Sequence, residues 1–145
     1  MYREINFDMD GTIADLYGVE NWLPLLRAED TAPYEMAKPL VNMSRLARAI
    51  HKAQRNGIDV GVISWGSKGG TTNYLRATEI AKKEWLARHL PSVVWDSVQV
   101  VDYGIPKESL AEIGDILFDD NAKIRQGWGE KAYEPDQIFT IFAAL

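Results

Sequence analysis

The sequence predicts an α/β fold, a parallel sheet with helices on both faces, and three observations carry that prediction. Runs rich in valine, isoleucine and phenylalanine alternate along the chain with segments of helical periodicity, the order that builds right-handed crossovers. Two of those apolar runs end in acids, Phe7-Asp8-Met9-Asp10 and Leu117-Phe118-Asp119-Asp120, and another ends at Ser64. Ligands of an open α/β sheet collect beyond the carboxyl ends of its strands, so two acidic strand ends imply one cluster if the strands are neighbours. The 145 residues have the size of one domain, taken as residues 1–145, and 46% hydrophobic content suffices for its core.

The first strand is expected over residues 4–8, followed by a loop over 12–22 that runs into a short helix. Residues 20–38 mix prolines, aromatic rings and both signs of charge, and are expected to form a small lid. Leu40, Met43, Leu46, Ala47, Ile50 and Ala53 recur at helical spacing and predict a helix over 40–54, ended by Asn56-Gly57. A valine- and isoleucine-rich strand over 58–64 opens into the glycine-rich loop Trp65-Gly66-Ser67-Lys68-Gly69-Gly70-Thr71-Thr72. A helix over 73–89 stops before Pro91. A strand over 98–102, a short helix over 106–113 with proline near its start, and a strand over 115–119 follow. A brief fifth strand is expected near 131–133. Ile138, Phe139, Ile141, Phe142 and Leu145 then recur at helical spacing and predict a terminal helix capped by Asp136, their composition leaving a strand as the alternative.

The net charge of −5 provides no broad basic surface, so nucleic acid is expected at most as a phosphorylated end. The absence of cysteine excludes disulfides, thiolate zinc sites and cysteine nucleophiles, and a metal must sit on oxygen or histidine. No apolar run approaches the roughly 20 residues of a membrane span. The opening Met1-Tyr2-Arg3-Glu4 has no apolar signal core, so no membrane partner and a cytoplasmic location are expected.

Asp8 and Asp10 stand two residues apart where a strand ends, so both project the same way. Such carboxylates repel unless a cation or a shared proton lies between them, which points to a hard metal or to a carboxylate nucleophile beside an acid/base partner. An acidic turn is the plainer reading, and the recurrence of acids at Asp119 and Asp120 weighs against it. Residues 61–68 resemble a phosphate-binding loop only superficially: the final pair is Ser67-Lys68 in the wrong order, and Gly61 lies inside a strand. His51 and His89 stand alone without metal-ligand spacing. Trp85 and Trp128 are expected in or near the core, Asp15 as a helix cap, and Trp22 and Trp65 either in the core or lining a pocket beyond the first strands.

Taken in order, Asp8-Met9-Asp10-Gly11-Thr12, Ser64, Lys107 and Gly114-Asp115-Ile116-Leu117-Phe118-Asp119-Asp120 resemble the four motifs of the haloacid dehalogenase (HAD) superfamily, on its phosphatase side, over nearly the whole chain. The resemblance implies a HAD-like three-layer Rossmannoid fold with a minimal cap. It makes Asp8 the nucleophile that forms an aspartyl phosphate and Asp10 the general acid and base. It assigns magnesium to Asp8, the Asp10 backbone carbonyl and Asp119, with Asp120 acting through water or orienting the lysine, or exchanging roles with Asp119. Ser64 and Lys107 would bind the phosphoryl group, with Lys68 competing for the lysine role and Lys38 a weaker candidate. Trp22, Trp65 and Lys68 would line the substrate. An acid at position 10 argues against dehalogenase and transport-ATPase chemistry.

Two further likenesses bear on substrate. Lys107 and the closing acidic run resemble the 5′-deoxyribonucleotidase branch, whose substrates are nucleoside monophosphates and whose caps are usually larger. The shortness of residues 20–38 resembles members with small caps, which often act on macromolecules or complete their sites by oligomerising. The expectation is therefore a magnesium-dependent phosphomonoesterase acting on a nucleoside 5′-monophosphate or similar small phosphate. The alternatives are a phosphatase of phosphoprotein or polynucleotide ends, a phosphotransferase, and a catalytically silent binding module.

Overall fold

The computed structural model describes residues 4–145, so Met1-Tyr2-Arg3, where no signal core was read, lies outside the described residues. The elements run β1 (Glu4–Phe7), β2 (Ala14–Asp15), α1 (Trp22–Arg27), α2 (Ala32–Met36), β3 (Lys38–Pro39), α3 (Met43–Arg55), β4 (Asp59–Trp65), α4 (Thr72–His89), β5 (Ser97–Val101), β6 (Ile116–Phe118), α5 (Ala122–Trp128), β7 (Ala132–Tyr133) and α6 (Ile138–Ala143). The main sheet has the order β5-β4-β1-β6-β7 and every pairing in it is parallel, so the predicted α/β class is the observed one.

The chain leaves β1 toward β4 and β5 on one side, then returns to place β6 and β7 on the other. That reversal makes β1 the centre of the sheet and opens a crevice at its carboxyl end. Ile5 and Phe7 are fully buried there, and Phe7 stacks on Phe118 at 5.4 Å and on Phe142 at 5.9 Å between ring centroids. Phe7 faces Val62 of β4 on one side and Phe118 of β6 on the other. This register sets Asp8 and Asp119, one residue further along each strand, side by side.

Several elements differ from the sequence expectation for identifiable reasons. Helix α3 begins at Met43 because the Asn42 side chain accepts the Arg45 N–H and caps it there, while the Leu40 N–H donates to Ile13 O. Leu40 thereby extends a two-stranded antiparallel ribbon, β2 with β3, which pairs Ala14 with Pro39 and Asp15 with Lys38. The expected helix over 106–113 is reduced to one 3-10 turn, Lys107–Leu110, because Ala111 is extended and the Asp115 carboxylate takes the Glu112 N–H. Helix α5 was not expected at all. None of its residues is buried, so it carries no apolar stripe, and the Asn121 side chain accepting the Lys123 and Ile124 N–H groups defines its start. The terminal element is a helix, but Asp136 does not cap it. Asp136 lies inside the preceding 3-10 turn Pro135–Gln137, which is capped by Glu134, whose N–H donates to the Gln137 side chain, and the N-cap of α6 is Gln137 with no side-chain cap bond.

Residues 20–38 hold α1 and α2. Leu26 and Tyr34 from this segment join Leu16, Tyr74 and Ala81 in a second apolar cluster, separate from the main core. Polar contacts hold the segment to α4 along the helix. Glu29 accepts the Thr71 N–H and hydroxyl at 2.9 and 2.8 Å, Tyr74 donates to Asp30 O, Trp85 to Ala37 O, and Arg88 to Glu35 O. Among the described residues no helix is long and apolar enough to cross a membrane.

Candidate active site

The site begins with the turn that follows Asp8. The N–H groups of Thr12, Ile13 and Ala14 all converge on Met9 O at 2.9–3.1 Å, and this tight loop folds Thr12 back beneath β1. Gly11 has φ +81, a left-handed conformation suited to glycine, and a Cβ there would collide with the Asp120 carboxylate. Thr12 then donates from its hydroxyl to Asp8 Oδ2 at 3.0 Å and accepts the Asp120 N–H at 3.2 Å. The threonine thus ties the end of β1 to the end of β6.

Lys107, 1% exposed, donates to Asp8 Oδ1 at 3.0 Å and to Asp119 Oδ2 at 2.7 Å. Burial alone would depress its ammonium, but the charges of Asp8 and Asp119 outweigh that and hold its pKa above the ordinary lysine value. Asp119 receives a further bond from the Asn121 N–H at 2.9 Å. Among the described residues, neither Lys68 nor Lys38 bonds these two carboxylates. Lys68 is exposed on the loop after β4 with its ammonium 6.0 Å from the Tyr103 ring, and Lys38 is exposed in the ribbon.

Asp8, Asp119 and Asp120 each offer a carboxylate oxygen, and the three lie within 4.8 Å of one another. Burial and the charge of Asp8 push the Asp119 carboxyl up to about 6, and desolvation and Asp8 push that of Asp120 up to about 7. Hard oxygen donors crowded until they resist ionisation fit a divalent cation such as Mg²⁺. Of the two expectations for Asp120, action through water and orientation of the lysine, a direct bond to Lys107 is not formed among the described residues. Asp119, at the end of the strand, points across to Lys107, whereas Asp120 turns to the Thr12 hydroxyl and belongs to the cation-competent group. The Asp10 carboxylate is not in that group, and its Oδ2 is taken by Lys82 at 2.9 Å.

The Asp119 and Asp120 carboxyls bind their protons more tightly folded than unfolded, so the stability they contribute is present below about pH 4 and is lost as pH rises through about 6 to 7. The thermal midpoint of metal-free protein is expected to fall between pH 5 and pH 7.5. Mg²⁺ should raise it at pH 7.5 and do little at pH 5, as differential scanning fluorimetry would show. A midpoint that climbs over this interval and ignores Mg²⁺ would contradict the cation site.

Ser64 is fully buried at the end of β4, and its Oγ accepts a bond from Lys82 at 2.6 Å. Sequence reasoning missed Lys82. Its register was the available signal: on α4 it falls in the stripe of Tyr74, Thr78, Ala81 and Trp85, all buried, where a charge is out of place.

Above these groups lies a cavity of about 420 Å³ whose lining includes Asp8, Asp10, Lys107, Asp119 and Asp120. Its walls are aromatic, with Tyr17 and Trp22 in edge-to-face contact at 4.9 Å, Trp65 and Tyr103 at 4.8 Å, and Tyr34. Trp65 is fixed by donating to Ile105 O at 2.8 Å. Trp22, Trp65 and Lys68 therefore all line the cavity, joined by Arg27 and Ser67. Ser64 does not reach its surface. Trp85 is buried in the core, Trp128 is half-buried against Asp115 O, and His51 and His89 contact Ser92 O and Trp85, away from the cavity lining. Asp15 caps the 3-10 turn Leu16–Gly18 by accepting the Gly18 N–H.

A scan against protein-family models found no match, and a search of curated proteins found none either. Among solved structures, D,D-heptose 1,7-bisphosphate phosphatase from Burkholderia thailandensis is similar, at 17% identity and a TM-score of 0.53 over 87% of this chain and 71% of that one. A chain of the Pnkp1/Rnl/Hen1 complex is similar at 16% identity and a TM-score of 0.61, over 92% of this chain and 46% of that one. At such identities the likeness is one of fold: the chain shares the α/β architecture of these structures.

Proposed function

We propose that this chain is a magnesium-dependent phosphomonoesterase that works through an aspartyl phosphate, with nucleoside 5′-monophosphates as its substrate class. The observation that carries the chemistry is the division of labour between two nearby acids. Asp8 sits with Asp119, Asp120 and Lys107, whereas Asp10 is held apart from them by Lys82. A cation held by Asp8, Asp119, Asp120 and the Asp10 backbone carbonyl would offset the charge between carboxylate and phosphate. Asp8 attacks phosphorus, and the bond to the ester oxygen breaks as Asp10 protonates that oxygen. Burial raises the Asp10 pKa above the ordinary carboxyl value, against the pull of Lys82, which favours a proton for this step. Asp10 then takes a proton from the water that hydrolyses the acyl phosphate. Lys107 orients Asp8 and balances the transferred group.

The aromatic walls support the nucleotide. A ring face stacks on a base at roughly 1–3 kcal/mol per base, and Trp22 and Trp65 both line the cavity that holds the carboxylates. The similar heptose 1,7-bisphosphate phosphatase is, by its name, a phosphatase, which supports the reaction class. A lid of only two short helices favours a second reading, a phosphatase of phosphoprotein or polynucleotide ends.

The test is phosphate release from nucleoside monophosphates, sugar phosphates, an aryl phosphate, a phosphopeptide and a 5′-phosphorylated oligonucleotide, with and without Mg²⁺, using Asp8→Asn as the blank. Metal-dependent release that ranks nucleotides first is expected. Release from the macromolecules alone would favour the second reading, and none from any substrate would leave a silent binding module. Asp10→Asn should slow turnover of an alkyl phosphate by about 10²–10⁴-fold. With an activated aryl phosphate, whose leaving oxygen needs no proton, the loss should fall on hydrolysis of the intermediate and leave a burst of product. Normal turnover in that variant would rule out the acid/base role.

A further inference from the structure

We propose that Lys82 is a positioning residue that holds the Ser64 hydroxyl as a donor to the phosphoryl group and fixes the Asp10 carboxylate beside it. This inference rests on reading the site as a phosphatase. The Lys82 ammonium is 1% exposed and donates to Ser64 Oγ at 2.6 Å, Trp65 O at 2.8 Å and Asp10 Oδ2 at 2.9 Å. An ammonium has three protons and no lone pair, so these acceptors use its whole capacity. Lys82 therefore has no proton left for substrate, and its effect passes through the groups it holds.

The consequence for Ser64 is chemical. A hydroxyl has one proton and two lone pairs, and a bond from an ammonium can only be accepted. Ser64 thus keeps its own proton, and among the described residues no acceptor for it is found. Ser64 lies directly beneath Trp65 and Gly66 of the cavity lining, so that proton meets a phosphoryl oxygen once the bound group displaces the lining above it. An unperturbed serine could turn either way, whereas this one is committed before substrate arrives, the preorganisation that makes a donor effective.

The fold itself gives no reason for the charge. Lys82 occupies a buried position of α4 that a leucine would fill without the cost of desolvating an ammonium, and Tyr34 covers it with its ring 4.8 Å away. The same ammonium spans β4 and the turn after β1. It thereby sets the acid/base group and the phosphate donor relative to each other with one side chain.

The experiment is a double-mutant cycle with an aryl phosphate and Mg²⁺, measuring kcat and KM for wild type, Lys82→Met, Ser64→Ala and the pair, with circular dichroism as the check on folding. Each single variant is expected to lose about 10²–10³-fold in kcat/KM, carried by kcat. The double variant should lose little more than the worse single one, since both remove one interaction. Losses that multiply would overturn the proposal, as would a Lys82→Met enzyme with wild-type kcat. Should Lys82→Met fail to fold, nitrogen-15 NMR of wild-type protein titrated with inorganic phosphate decides the matter. The slowly exchanging Lys82 ammonium resonance is expected to persist without coupling to phosphorus. Phosphorus coupling would make Lys82 a direct phosphate ligand and refute the positioning role. A wild-type protein inactive on every phosphate would refute the phosphatase reading itself, whereas an active wild type with multiplying losses refutes only the role of Lys82.

Discussion

Replacing Asp8 with asparagine is expected to lower kcat by at least about 10⁴-fold, the scale on which losing a covalent nucleophile is felt, while the fold survives. The amide keeps the shape and one carbonyl oxygen. Turned toward Lys107, that oxygen still accepts the bond now made at 3.0 Å, and the new NH₂ faces the Thr12 hydroxyl, which can accept it and send its own proton toward Asp120. What disappears is the anionic oxygen that attacks phosphorus in the proposed mechanism. Acid quenching during turnover and mass spectrometry should find the phosphoryl adduct on wild-type protein and none on the variant. Full activity in the variant would end the covalent mechanism.

Lys107→Met should be the variant that harms stability most. The side chain is buried between two carboxylates, and removing it leaves Asp8 and Asp119 facing each other with no cation between them. Breaking a buried ion pair by deleting one partner costs about 3–5 kcal/mol, which for a chain of this length corresponds to roughly 10 °C in the thermal midpoint. Mg²⁺ should recover much of the lost stability, because it supplies positive charge to the same oxygens. Activity should stay down by about 10²–10³-fold even at saturating metal, since the phosphoryl group loses its charge partner. A metal-free midpoint unchanged from wild type would show that the two acids do not depend on this lysine.

The parts of this protein that sequence reasoning reached are those in which one residue type has one physical meaning. The valine and isoleucine run gave away β4, and apolar spacing gave away α3, because each buries a face that must be written in the sequence. The acids at the ends of β1 and β6 were legible for the same reason, since charge at a buried strand end has few structural uses. Helix α5 was not legible because it buries nothing. The ribbon of β2 and β3 is two residues long on each side, below any periodicity. Lys82 was the instructive miss. A lysine within a run such as Ala81-Lys82-Lys83-Glu84 reads as surface, and only the three-dimensional register that places it against Ser64 and Asp10 gives it a role.

The small ribbon has a consequence for how such a protein can change over time. By pairing Ala14 with Pro39 it clamps together the two ends of the stretch that contributes Trp22, Leu26 and Tyr34 to the cavity, whatever length of chain lies between them. Lengthening a closed loop is cheap, about 0.6 kcal/mol for each doubling. New material inserted between those clamped ends would remodel the roof over the same carboxylates, so that substrate preference could diversify by insertion while the chemistry beneath is inherited unchanged.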